Sequence, residues 1–153
     1  MNRAYIALGS NLGDRAQFIQ DALNFLSEDE EITLCRVSSL HETLAVSIEV
    51  QPQFLNAVCE IITSYSARRL LTLLQDIEMR LGREEKGLKK PRTIDLDLLF
   101  YNNQVINEED FILPHPHLHQ REFVLKPLCE LNSTLIHPLL GKDVYSLLGS
   151  INL

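Results

Sequence analysis

No apolar run in the chain approaches the roughly 18 residues that a membrane-spanning helix needs. That excludes a helical membrane protein. The apolar stretch at residues 1–9 is too short and too interrupted for a signal peptide, so the expectation is a cytoplasmic protein. Cysteine is scarce: Cys35, Cys59 and Cys129 are odd in number, far apart, and form no Cys-x-x-Cys pair. They read as reduced thiols packed as small hydrophobes. Positive charge is also short, with 14 Lys and Arg against 21 Asp and Glu and a net charge of −7. This argues against general nucleic-acid binding, which needs a basic surface. There are no repeats, low-complexity runs or linkers, and neither a Walker pattern nor a dinucleotide fingerprint.

What is there fits one domain over residues 1–153, with an ordinary globular balance of 45% apolar and 23% charged residues. The pattern predicts a strand over 3–8 and a turn-rich loop at Gly9–Asp14. A helix follows over 14–26, with Phe18, Ile19, Ala22, Leu23 and Leu26 at 3,4 spacing. Such a loop either binds phosphate at a helix N-terminus or simply turns the chain. Residues 32–43 read as a strand whose apolar face changes near Ser38-Ser39, the mark of a bulge or bend. Residues 44–53 make an unusually apolar loop. Phe54–Tyr65 is a long strand with Phe54, Asn56, Val58 and Glu60 on one face. Asn56 is either a solvated polar residue or an amide that donates and accepts to a flat heterocycle. Ser66 caps a helix that buries Leu70, Leu71, Leu74, Ile77 and Leu81, and Gly82 stops it.

The basic residues cluster at 80–92: Arg80, Arg83, Lys86, Lys89, Lys90 and Arg92. A basic loop at 83–90 is either a lid over an anionic ligand or an ordinary solvated loop. It leads into Pro91-Arg92-Thr93-Ile94-Asp95-Leu96-Asp97-Leu98-Leu99-Phe100-Tyr101. On a strand, Asp95, Asp97 and Leu99 share one face, and Ile94, Leu96, Leu98 and Phe100 form an apolar face opposite. Two carboxylates that close repel each other. Either one or two divalent cations cover them, or the pair is a solvated strand end matched by Lys or Arg. Asn102-Asn103 suggests a hairpin returning through Gln104–Ile106. His115, His117 and His119 have the spacing of a chelate, though Pro116 breaks regular pairing. Helices are expected over 121–131 and 144–148, the last ended by Gly149. The order of elements favours an α+β fold, an antiparallel or mixed sheet flanked by helices.

The segment Pro91–Leu99 resembles the signature of the 6-hydroxymethyl-7,8-dihydropterin pyrophosphokinases of folate biosynthesis. Ala4–Asp14, Phe54-Leu55-Asn56-Ala57, Gln75-Asp76-Ile77-Glu78, Gly82-Arg83, Pro114-His115 and Arg121-Glu122-Phe123 match in order and at fitting spacing. The resemblance covers nearly the whole chain. It implies a ferredoxin-like three-layer α/β/α fold in a single pterin pyrophosphokinase domain, acting as a monomer. It also implies transfer of pyrophosphate from ATP to the pterin hydroxymethyl group, releasing AMP. Asp95 and Asp97 would hold two Mg²⁺ ions. Asn56 would bind the pterin edge between Phe54 and Phe123, with backbone groups near Thr43 and Val46 completing that pocket. Gln75 and Glu78 would lie toward the nucleotide, and Arg83, Lys86, Arg92, His115 and Arg121 would meet its phosphates. Arg83 and Arg92 join the two aspartates as the catalytic set. The chain departs from the family pattern where a second Arg and a Trp-Gly are frequent; it has Glu85 and Lys89-Lys90 there. Pro116 stands where an aromatic is frequent.

Overall fold

A computed structural model describes residues 1–43, 53–82 and 93–151. The chain runs β1 (Asn2–Ser10), α1 (Arg15–Glu28), β2 (Ile32–Val37), β3 (His41–Thr43), β4 (Phe54–Thr63), α2 (Ala67–Arg80) and β5 (Asp95–Tyr101). It continues through β6 (Ile106–Glu108), β7 (Phe111–Leu113), a 3₁₀ turn at Leu118–Gln120, α3 (Glu122–Asn132) and α4 (Val144–Ile151). The main sheet has the order β2-β4-β1-β5, with β3 also paired to β4. Every pairing in it is antiparallel. Leaving out β3, the order of elements is β-α-β-β-α-β, the ferredoxin-like arrangement.

Side-chain alternation on the strands builds two cores. Ala4, Ile6 and Leu8 of β1, Cys59 and Ile61 of β4, and Leu96 and Leu98 of β5 point to one face. That face meets Ile19, Ala22, Leu23 and Leu26 of α1 and Leu70, Leu74 and Ile77 of α2. These are the helix positions that the 3,4 spacing selects. Tyr5, Val58, Leu99 and Phe100 point the other way, onto Val124, Leu125, Leu128 and Leu131 of α3 and Val144 and Leu147 of α4. The result is three layers, with the sheet buried on both faces.

The helix ends follow their caps. Asp14 accepts the Gln17 N–H at 3.2 Å and Ser66 accepts the Arg69 N–H at 3.1 Å, each meeting one of the unpaired donors of a first turn. Gly82 takes φ +94° just past α2, a left-handed conformation that a side chain would strain. The expected strand over 32–43 divides into β2 and β3 at Ser38–Leu40. Ser38 keeps the ladder connected there: its N–H donates to the Val58 carbonyl and its Oγ accepts the Val58 N–H, both at 2.9 Å.

Two local expectations change. The turn at Asn102-Asn103 does not return a strand onto β5. Asn102 sits at φ 50° and exchanges hydrogen bonds with Arg3 of β1, its N–H donating to the Arg3 carbonyl and its Oδ1 accepting the Arg3 N–H. The hairpin forms one step later, between β6 and β7. Its tip is held by Arg68, which pairs with Glu108 and Asp110 and lies 5.2 Å from the Phe111 ring. The second change is a bulge. Tyr5 opposes Phe100 but Ile6 opposes Leu98, so Leu99 is an extra residue in β5. Phe100 therefore packs with α3 and α4, and Tyr101 replaces it in the core beside α1 and α2. The C-terminal helix also runs past Gly149 to Ile151.

Candidate functional site

The site is built on β1 and its two neighbours. Gly9 pairs with Asn56 on one side and with Asp95 on the other, so these three residues form one row across the sheet. Ala7 pairs with Val58 and with Asp97, which makes the next row. Paired residues share a face, and this is the face covered by α3. Asn56 is buried; Asp95 and Asp97 are half-buried. The two carboxylates thus lie side by side, opposite two small residues of β1, Gly9 and Ala7. Adjacent strands are about 4.8 Å apart, so Asn56 and Asp95 are separated by roughly 9–10 Å of backbone ladder.

The edge strand that carries the aspartates is tied on its outer side. The buried Glu78 of α2 accepts the Leu96 N–H at 2.8 Å, between the two aspartates. Two residues beyond Asp97, the Leu99 carbonyl accepts the His115 N–H at 3.1 Å. Those bonds meet backbone groups that an edge strand otherwise exposes. Glu78 thus lies against the strand itself, while Gln75, one turn earlier on α2, is exposed. His115 is half-buried and its Nδ1 accepts the His117 N–H at 3.3 Å, which assigns the ring proton to Nε2. Among the described residues, no three His, Cys, Asp or Glu side chains converge as metal ligands.

On the other flank, Phe54 opens β4 opposite Thr43, and Asn56 pairs with His41 of β3 as well as with Gly9. Phe123 is half-buried in the first turn of α3, and the Arg121 guanidinium lies 5.7 Å from its ring. A cavity of about 380 Å³ lies between β3 and α3, lined by His41, Glu42, Glu122, Phe123 and Lys126. Arg15 spans the two ends of segment 44–52, pairing with Glu42 at 2.7 Å and donating to the Gln53 carbonyl at 2.8 Å. Val46, Arg83, Lys86 and Arg92 lie outside the described residues.

Several contributors give little sign of themselves in the sequence. Ser39 Oγ donates to the Glu130 carboxylate, and His41 Nε2 lies 3.3 Å from the same group, which joins β3 to α3. These hydrogen bonds hold the Glu130 carboxyl below the usual range. Beneath the site, Glu60 is buried. It accepts from the Tyr5 hydroxyl at 2.5 Å and pairs with Arg3 at 3.1 Å and Arg36 at 3.3 Å. Burial alone would raise its pKa, but the bonds from Arg36 and Tyr5 and the Arg3 charge hold it below the ordinary carboxylate value. Gly9, expected to open a turn-rich loop, is instead a residue of β1, and a glycine inside a strand often marks a close approach.

The model of the 7,8-dihydro-6-hydroxymethylpterin-pyrophosphokinase (HPPK) family matches residues 5–133. A Bacillus subtilis protein named 2-amino-4-hydroxy-6-hydroxymethyldihydropteridine pyrophosphokinase is 47% identical over 130 residues, covering 85% of this chain and 78% of that protein. A Haemophilus influenzae protein of the same name is 40% identical over 138 residues, covering 90% and 86%. The folic acid synthesis protein fol1 of Pneumocystis carinii is 45% identical over 142 residues, and the chain spans only 19% of its length. The Plasmodium falciparum HPPK-DHPS crystal structure with SDX-DHP shares the fold, with a TM-score of 0.76 at 16% identity, over 98% of this chain and 43% of that one. By sequence over most of its length, the chain belongs to the HPPK family.

Proposed function

We propose that residues 1–153 act as one catalytic domain that transfers pyrophosphate from ATP to the hydroxymethyl group of 6-hydroxymethyl-7,8-dihydropterin, releasing AMP. One observation carries the reading: an amide and a carboxylate, Asn56 and Asp95, sit in one row on one sheet face, with Asp97 in the next. That is a heterocycle-binding group facing a polyphosphate-binding pair across one strand. Asn56 takes the pterin edge, Phe54 and Phe123 stack on its ring, and backbone groups near Thr43 and Val46 complete the pocket.

Asp95 and Asp97 suit Mg²⁺, which favours carboxylate and phosphate oxygens, and the small Gly9 and Ala7 opposite them leave room for it. Two such ions, when bound, neutralise the triphosphate. Arg83, Lys86, Arg92 and Arg121 supply positive charge to the phosphates, with bidentate geometry available to the arginines. His115 donates from Nε2, and Gln75 and Glu78 lie on the nucleotide side. The substrate hydroxymethyl oxygen forms a bond to the β-phosphorus. The bond from that phosphorus to the oxygen bridging to the α-phosphate breaks, AMP leaves with the bridging oxygen, and the hydroxyl proton passes to water. No protein nucleophile is required; the chain positions the reactants and balances charge. Incubation with ATP, Mg²⁺ and the pterin should yield AMP in step with pterin pyrophosphate. ADP as the only nucleotide product would overturn the proposal.

A further inference from the structure

Gly9 has an ordinary strand position, paired on both sides and without a positive φ, so backbone freedom does not account for a glycine there. Space does. A Cβ built on Gly9 would lie 3.1 Å from Asn56 Oδ1 and 3.6 Å from Phe54 Cδ1, with the Leu55 carbonyl at 3.9 Å. The first contact is tighter than a carbon and an oxygen normally tolerate. The side chain it would press on is the amide assigned to the pterin, while one of the rings assigned to the pterin lies at ordinary van der Waals distance. No atom of Asp95, which pairs with Gly9 on the opposite side, is among those three neighbours.

We infer that Gly9 is a specificity-determining position for the pterin: its missing side chain holds the Asn56 amide in place and leaves a flat floor between the amide and the aspartates. The inference rests on the reaction proposed above and extends it to a residue that donates no polar group. Neighbouring glycines serve other ends. Gly13 and Gly82 take positive φ at turns, and nothing lies within 4 Å of a Cβ at Gly141 or Gly149. The asymmetry of Gly9 decides what a substitution does. A methyl group there crowds the Asn56 amide oxygen first, meets the Phe54 ring only at ordinary van der Waals distance, and has no Asp95 atom among its three nearest neighbours. Pterin recognition should fail while nucleotide and Mg²⁺ binding persist.

The test is Gly9→Ala, read as a split between the two substrates. The expected result is at least a tenfold rise in KM for the pterin, with the Kd for Mg²⁺-ATP within twofold of wild type. An unchanged pterin KM overturns the inference, and so does an equal loss of affinity for both substrates, because the closest contact of the added methyl is the Asn56 amide. A second measurement uses the unaltered chain. With Mg²⁺ and α,β-methylene-ATP present, adding the pterin should move the Gly9 backbone amide resonance, as a ring lying over it requires. A resonance that stays fixed while the Asn56 side-chain amide moves would overturn the floor assignment even if Gly9→Ala does not fold. Failure of the underlying reaction is distinguishable, because the wild-type chain would then make no AMP from pterin and ATP.

Discussion

Glu78 offers the sharpest separation between a contact to nucleotide and a support for the strand beside it. Its carboxyl accepts the buried Leu96 N–H at 2.8 Å, and Leu96 lies between Asp95 and Asp97. Glu78→Ala removes the acceptor of that buried bond, and the loss of such a partner costs about 1–3 kcal/mol. The substitution also removes a buried carboxyl, whose recovered desolvation and lost packing oppose each other, so a net cost of about 2 kcal/mol, the middle of that range, follows. For a chain of this size each kcal/mol moves the midpoint by about 2–4 °C, so Tm should fall by about 4–8 °C. Glu78→Gln keeps an acceptor oxygen in reach and should restore most of that. The functional effect should appear in metal dependence, because the released backbone segment carries both aspartates. Thermal unfolding by circular dichroism and a Mg²⁺ titration of AMP formation measure the two effects. A Glu78→Ala protein that melts with the wild type, and whose only defect is a raised KM for ATP, would refute the support role.

Three further outcomes are expected. Asp97→Ala should abolish AMP formation while far-ultraviolet circular dichroism and Tm stay near wild type, since the side chain is half-buried and outside both cores; wild-type turnover would remove the metal assignment. Glu60 has a folded pKa below its unfolded value, so its contribution is present above the unfolded carboxylate range and is lost as pH falls through the folded pKa. Denaturant unfolding should therefore show less acid destabilisation for Glu60→Gln than for wild type, and an identical pH profile would contradict this. Phe100→Ala, which empties a site between Tyr5 and His137, should cost about 3–5 kcal/mol in urea unfolding, and a loss under 1 kcal/mol would place the ring outside the core.

Much of the frame was legible because periodicity reports burial directly. The 3,4 spacing in α1 and α2 and the alternation in β4 named the inward faces correctly. The aspartate pair stood out because charge on a buried strand demands a partner. The bulge at Leu99 was invisible for the converse reason. Leu98-Leu99-Phe100-Tyr101 is apolar on both faces, so an inserted residue leaves no break in the pattern. The Asn102 turn misled because its chemistry suits a hairpin, while its hydrogen bonds go to Arg3, about a hundred residues away. Ser39, His41 and Glu130 meet only through the packing of α3 on β3, which no local spacing encodes.

The rows across β1 have a consequence for how the site withstands change. The interval from Asn56 to Asp95 is a count of hydrogen-bonded strands, not a sum of side-chain contacts. Repacking a leucine on either face alters stability without altering that count. Only a shift of one strand along another can move it, and a one-residue slip would turn the aspartates into the opposite core. The spacing behaves as a digital quantity, either kept in full or lost together with the fold.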